Sequence, residues 1–146
     1  MANIKIPATV LRQKDKELYL FKMSSALLRK ITYVTPRSED NPDELQRVYS
    51  EPRAKEIGAW IKQENSLLPN AIVVDFKNDV KIEPTADHDI VTITIPEPDA
   101  TDNLKFAYIL DGQHRVKGFE FSDGVDFDLA VIAVHKVMGD VLHILT

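Results

Sequence analysis

From Ile90 to Ile95 every residue is β-branched, in the order Ile-Val-Thr-Ile-Thr-Ile. Such side chains are stiff at χ1, lose freedom in a helix and pack well on a pleated surface. This stretch reads as the clearest strand in the chain, and it commits the chain to building a sheet around it. Neighbours are available. Ile4, Ile6, Ala8 and Val10 alternate with Lys5, Pro7, Thr9 and Leu11, a half-buried strand that Pro7 assigns to a sheet edge. Residues 17–23 (ELYLFKM), 71–76 (AIVVDF), 106–110 (FAYIL) and 127–134 are short apolar runs of strand character, and 31–34 reads as extended.

Helical spacing is interleaved with these runs. Ser24-Ser25 can cap a short helix over 26–30. Glu51 and Pro52 open a longer one, because the missing N–H of a proline costs nothing in a first turn. In that helix Ile57, Trp60 and Ile61 fall on one apolar stripe that Ala54 extends, while Arg53, Lys55, Glu56, Lys62 and Glu64 take the other side. Val116 and Phe119 share a face in a short helix after Gly112, and Met138 to Leu145 reads as the start of another. Residues 35–44 and 96–103 are polar, proline-containing loops, the first expected to be mobile, and Asn78-Asp79 is turn-like. Strands and helices mixed in this way predict one α+β or α/β domain over 1–146.

At 146 residues, 44% hydrophobic and 28% charged, the chain has the length and composition of one soluble globular domain. It has no cysteine, which excludes a disulfide scaffold, a thiol nucleophile and a cysteine zinc site. No basic-then-apolar leader follows Met1 and no apolar run approaches about eighteen residues, so a cytoplasmic chain with no membrane partner is expected. The net charge of −5 is unevenly spread. Residues 1–37 carry eight bases against two acids, and the remainder ten bases against twenty-one acids. Two explanations are open: a basic face for a polyanion, or pairing between oppositely charged segments. The acidic bulk argues against tight, sequence-blind DNA binding by the chain alone.

The chemistry is concentrated in residues 108–119 (YILDGQHRVKGF). A buried strand delivers Asp111 to a sharp turn, where Gly112 permits a positive φ. A helix then starts, and its first N–H groups have no partner within the helix, so they attract anions. Arg115 could add a planar fork for phosphate or carboxylate, and Gly118 would let the helix lie close on the sheet. Each residue has a plainer role open to it. Asp111 could cap the helix, Gln113 could hold a loop carbonyl, His114 could be a satisfied, partly buried imidazole, and Arg115 could pair with Asp111 or a neighbouring acid. Packing alone gives no reason for Gln-His-Arg in succession.

Asp111-Gly112-Gln113-His114-Arg115 followed by Gly118 resembles the DGQHR-domain family, which includes DndB-type proteins of DNA phosphorothioation systems. Gln46-Arg47 ahead of the Arg53–Ile61 helix, then Leu68-Pro69-Asn70-Ala71-Ile72, and the 127–134 strand agree, so the resemblance covers roughly 45–135. The family is similar to the ParB/sulfiredoxin-like superfamily. That likeness implies an α+β fold, a mixed sheet with flanking helices and the motif at a strand-to-helix turn. In ParB-like members such a turn binds nucleotide phosphates, and some relatives hydrolyse nucleotides with a divalent metal. The cysteine chemistry of sulfiredoxin-like relatives is excluded here. Carried over, the site is Asp111, Gln113 and His114 for catalysis, Gly112 and Arg115 for phosphate, and Asp111 for metal. Arg47 and Arg53 are additional phosphate contacts. Family members are usually longer, with a helical part after the last strand, so 1–146 is expected to be a compact member or the N-terminal part of a longer architecture.

Three functions follow as expectations. In the first, the turn binds a nucleoside triphosphate with Mg²⁺, with hydrolysis as a further step: Asp111 holds the cation, and Gln113 or His114 positions or deprotonates water. In the second, a non-catalytic regulator binds DNA or other DNA-modification proteins, and the basic segment 1–37 touches backbone phosphates. In the third, the chain is a folded, inactive remnant. No P-loop, dinucleotide or HExxH motif is present. His88, His135 and His143 do not have the convergence of a metal site in sequence, and Asp123, Asp126 and Asp128 do not have calcium-loop spacing.

Overall fold

The computed structural model describes residues 3–33, 50–77, 79–97 and 106–135. The expected loop at 35–44, most of that at 96–103, and the expected helix at 138–145 lie outside the described residues. In chain order the elements are β1 (Ile4–Gln13), β2 (Lys16–Ser24), α1 (Ser25–Ile31), β3 (Thr32–Tyr33), α2 (Glu51–Ile61), β4 (Ile72–Phe76), β5 (Lys81–Pro84), β6 (Ile90–Ile95), β7 (Ala107–Asp111), α3 (Gln113–Gly118) and β8 (Asp128–His135). The strands form one mixed sheet in the order β3-β7-β4-β8-β2-β1-β6-β5. The β3–β7 and β4–β8 pairs are parallel and the other pairs antiparallel. Among the described residues the fold is α+β, a curled eight-stranded sheet with three helices. Among the described residues no helix is long and apolar enough to cross a membrane.

Strand alternation divides the sheet into two faces. Ala8 and Val10 of β1, Tyr19, Phe21 and Met23 of β2, Ile72, Val74 and Phe76 of β4, and Leu129, Val131 and Ala133 of β8 point into one large core. Leu28 and Ile31 of α1, Ile61 of α2 and Val116 of α3 close that core from the helical side.

Pro7 does not put β1 at an edge, because β1 lies between β2 and β6. The proline is tolerated because β1 is paired in halves: residues 4–9 meet β6 and residues 9–13 meet β2. At Pro7 the strand has one paired neighbour, Thr92 of β6, so no ladder on the β2 side is interrupted. β5 was not legible as a strand. Its Lys-Ile-Glu-Pro sequence offers one apolar residue, and its position is fixed by pairing with β6.

α1 starts where the Ser24 side chain accepts the Leu27 N–H, in accord with the serine pair. The Ser25 hydroxyl donates to the carboxylate of Asp126, which also accepts the Ala26 N–H. These bonds, the Ser25 side chain foremost, hold the Asp126 carboxyl below its ordinary range, with a smaller contribution from Arg29. A depressed carboxyl stabilises the fold above its ordinary pKa, and that contribution is lost as pH falls through the lowered value. The Asp126 carboxyl is therefore expected to titrate below the usual aspartate range by NMR. Ser25→Ala should move it upward and make the protein unfold at higher pH in an acid titration.

Candidate functional site

The motif lies where β7 ends against α2 and the start of β4. Gly112 has φ +102°, the left-handed region, and is the N-cap of α3. A Cβ here would lie 2.6 Å from Ile72 Cδ1 and 3.1 Å from Arg115 Nη2. The glycine is thus required twice, by its backbone and by the guanidinium lying against it. No side chain caps α3. The Asp111 carboxylate instead faces the turn that follows it, with Oδ2 3.7 Å from Arg115 Nη2.

Arg115 is mostly occupied within the fold. Its Nη1 donates to the Asn70 carbonyl at 2.6 Å and to the Ala71 carbonyl at 3.3 Å, and its side chain is 19% exposed. The guanidinium thus ties α3 to the chain entering β4. Gln113 and His114 are buried beside it, at 3% and 8% exposure. His114 Nε2 accepts the Ser50 N–H at 2.9 Å, and the Ser50 hydroxyl in turn accepts the Arg53 N–H to cap α2. One imidazole therefore connects the motif to the start of α2. Accepting that bond requires the nitrogen to carry no proton.

The α2–α3 contact is closer than ordinary helix packing. A Cβ on Gly58 would lie 2.7 Å from the Gly118 carbonyl oxygen and 2.7 Å from Phe121 Cβ. One on Gly118 would lie 2.7 Å from Ile57 Cγ2. Gly118 therefore allows α3 to approach α2, not the sheet as its spacing predicted. The buried stripe of α2 is Ala54, Gly58 and Ile61, with Ile57 half-buried. Trp60, expected on that stripe, is 41% exposed, and its Nε1 donates to the Leu67 carbonyl at 3.3 Å. Gly58 interrupts the hydrophobic pattern, so periodicity gave its place to the tryptophan.

The structure brings together Asp111, Gly112, Gln113, His114 and Arg115. It places the first turn of α2, with an exposed Arg53, one hydrogen bond away through Ser50. Arg47 lies outside the described residues. Ser50 was missed in the sequence, although a serine directly before Glu-Pro is a helix-start signal. The Asn70 and Ala71 carbonyls carry no side-chain signal at all. Among the described residues no group of three His, Asp or Glu side chains could hold a metal ion, and Asp111 is exposed with a cation as its neighbour. The described bases of the N-terminal segment are carried by β1, β2, the turn between them and α1. Lys5 and Lys22 project outward from β1 and β2, and Arg29 and Lys30 end α1. Arg12 pairs with Asp89 at 2.8 Å and Glu17 at 3.3 Å.

These features define a class: a one-sheet α+β domain whose strand–glycine–helix corner is built from Asp-Gly-Gln-His-Arg. The chain belongs to the DndB family, described as DNA-sulfur modification-associated, with the match spanning residues 6–135. Neither a curated protein nor a solved structure matches it.

Proposed function

We propose that the chain serves DNA sulfur modification as a regulatory, non-hydrolytic module, acting on DNA or on other proteins of the modification system. Membership of the DndB family supports the setting. The observation that carries the non-hydrolytic reading is the occupation of Arg115. Its guanidinium donates to two backbone carbonyls and faces Asp111, so in this conformation it supports the fold and is not presented to a phosphate. His114, with its Nε2 accepting from the Ser50 amide, is likewise engaged in packing α2.

A second reading keeps the kinship with ParB-like nucleotide-binding turns. It draws on the left-handed Gly112 and the exposed Asp111 carboxylate at the strand end. Here Asp111 would hold Mg²⁺ on a nucleoside triphosphate, and Arg115 would exchange its carbonyl partners for phosphate oxygens.

Thermal denaturation with each nucleoside triphosphate and Mg²⁺ separates the two, since a ligand of the native state raises the midpoint. The proposal expects no rise and no released phosphate. A rise that Arg115→Lys removes would replace it with the nucleotide reading. A salt titration of DNA binding then identifies the partner: a steep slope points to backbone phosphates, and no binding points to a protein.

A further inference from the structure

Three exposed lysines of the sheet, Lys5, Lys22 and Lys81, make no ion pair among the described residues. Alternation puts all three on one face. Ile4, Ile6, Ala8 and Val10 of β1 are in or against the large core, so Lys5, Pro7 and Thr9 point away from it. Leu20 and Lys22 of β2, Ile90 of β6 and Lys81 of β5 point away by the same rule, because Phe21 and Met23, Val91 and Ile93, and Ile82 point inward. This is the face opposite the helices, whose residues enter the large core. Register then sets the layout. Ile132, Leu20, Thr9 and Ile90 form one row across β8, β2, β1 and β6. Lys22 lies two residues along from Leu20, and Lys5 lies four along from Thr9, joined through Thr94 to Lys81. Leu20 and Ile90, at 38% and 37% exposure, are two of the four large apolar side chains exposed among the described residues, and both are in this row. The patch has two carboxylates. Glu83 accepts the Thr94 hydroxyl at 2.6 Å, and Asp128 stands at the β8 margin opposite Ser24.

We propose that this patch docks a short acidic and apolar segment of a partner protein, an inference that rests on the regulatory reading above and names its contact surface. An apolar row bordered by unpaired ammonium groups is complementary to aliphatic side chains set beside carboxylates: the row gains from losing water, and the lysines steer and orient the acids. The dimensions suit a linear segment. From β8 to β5 the patch crosses four strand spacings, about 19 Å, which roughly six extended residues span. From the Leu20 row to the Lys5 row it is about 13 Å deep. That is well below the area of a permanent interface, so the contact is brief and made by a segment, not by a second folded domain. Nucleic acid fits the patch less well. Its described residues include no arginine to fork onto phosphate and no aromatic ring to stack on a base. Its two carboxylates would face backbone phosphates, and three lysines neutralise too few of them for firm binding.

The full chain, labelled at its isoleucine and leucine methyls, is titrated by NMR with a synthetic peptide of about eight residues, half acidic and half aliphatic, long enough to cross the five strands. The expected result is a saturable shift of the Leu20, Ile90 and Ile132 methyls. The double variant Lys5→Glu, Lys22→Glu should bind the peptide at least about tenfold more weakly, and Leu20→Ser should weaken it as well. All three side chains are exposed, so both variants keep the fold, which the unchanged methyls of Ile72, Ile93 and Leu129 report. A peptide with lysine in place of its acids should leave the three methyls unmoved. Absence of a shift with the acidic peptide overturns the proposal, as does equal affinity for the charge-reversed variant. A short single-stranded oligonucleotide that moves these methyls where the acidic peptide does not would assign the patch to DNA, and that too overturns it. Any of these failures leaves the regulatory reading standing, because that reading falls to nucleotide-dependent thermal stabilisation.

Discussion

Gly58→Ala is expected to destabilise the protein by about 1–3 kcal/mol, the range for overpacking a tight core. Helix propensity alone predicts the opposite, since alanine in a helix interior is favoured over glycine by about 1 kcal/mol. Geometry decides the sign. The added methyl would meet the Gly118 carbonyl oxygen and Phe121 Cβ at 2.7 Å, and the Phe121 carbonyl oxygen at 2.8 Å. Two of these are backbone atoms, so no rotamer relieves the contact and α2 must move away from α3. That movement also lengthens the His114–Ser50 bond, which spans the same two helices. Urea denaturation of both proteins measures the change. A stabilised Gly58→Ala would show that α2 and α3 are not packed this closely.

Arg115→Ala is expected to cost about 2–3 kcal/mol, the scale for hydrogen bonds from a charged donor together with the packing they hold. The Asn70 carbonyl is exposed and can take water in exchange, whereas Ala71 is half-buried and exchanges less readily. The ion pair to Asp111 contributes little, since its oxygen is 3.7 Å away on a side chain that is 62% exposed. Asp111→Asn should therefore change stability by only about 0.5 kcal/mol. Arg115→Lys should recover little, because an ammonium cannot reproduce a planar fork. The contrast between a costly Arg115→Ala and a mild Asp111→Asn, read in the same urea experiment, is what a structural clasp gives. If Arg115→Ala leaves the urea midpoint unchanged, the guanidinium is not holding the fold and the nucleotide reading gains.

The strands and helices that carry their own periodicity were legible in the sequence. β6 followed from six β-branched residues, α1 from its serine cap, α2 from Glu51-Pro52 and its stripe, and β7–Gly112–α3 from a buried run broken by Asp-Gly. The motif itself was legible because no packing rule calls for Gln-His-Arg in succession. Hidden were the features that depend on what lies opposite. β5 exists because β6 offers it an edge, and Pro7 sits in an interior strand because β2 begins to pair only at Thr9. The partners of Arg115 are backbone carbonyls, which every residue has and no sequence distinguishes. Gly58 is a contact of missing atoms, so hydrophobic periodicity passes over it.

The staggered pairing of β1 has a mechanical consequence. Thr9 alone in that strand has partners on both sides, Leu20 and Ile90. The β-ladder linking the β5–β6 hairpin to the other strands thus narrows at this point to Thr9 and the Val10 N–H, which donates to the Asp89 carbonyl at 2.9 Å. Shear along the sheet concentrates at that seam, and the Arg12 clamp onto His88 and Asp89 sits beside it like a rivet. β5, β6 and the first half of β1 lie on one side of this seam and the remaining strands on the other, and across it Ile93 and Ile95 of β6 stay packed in the same core as the helices.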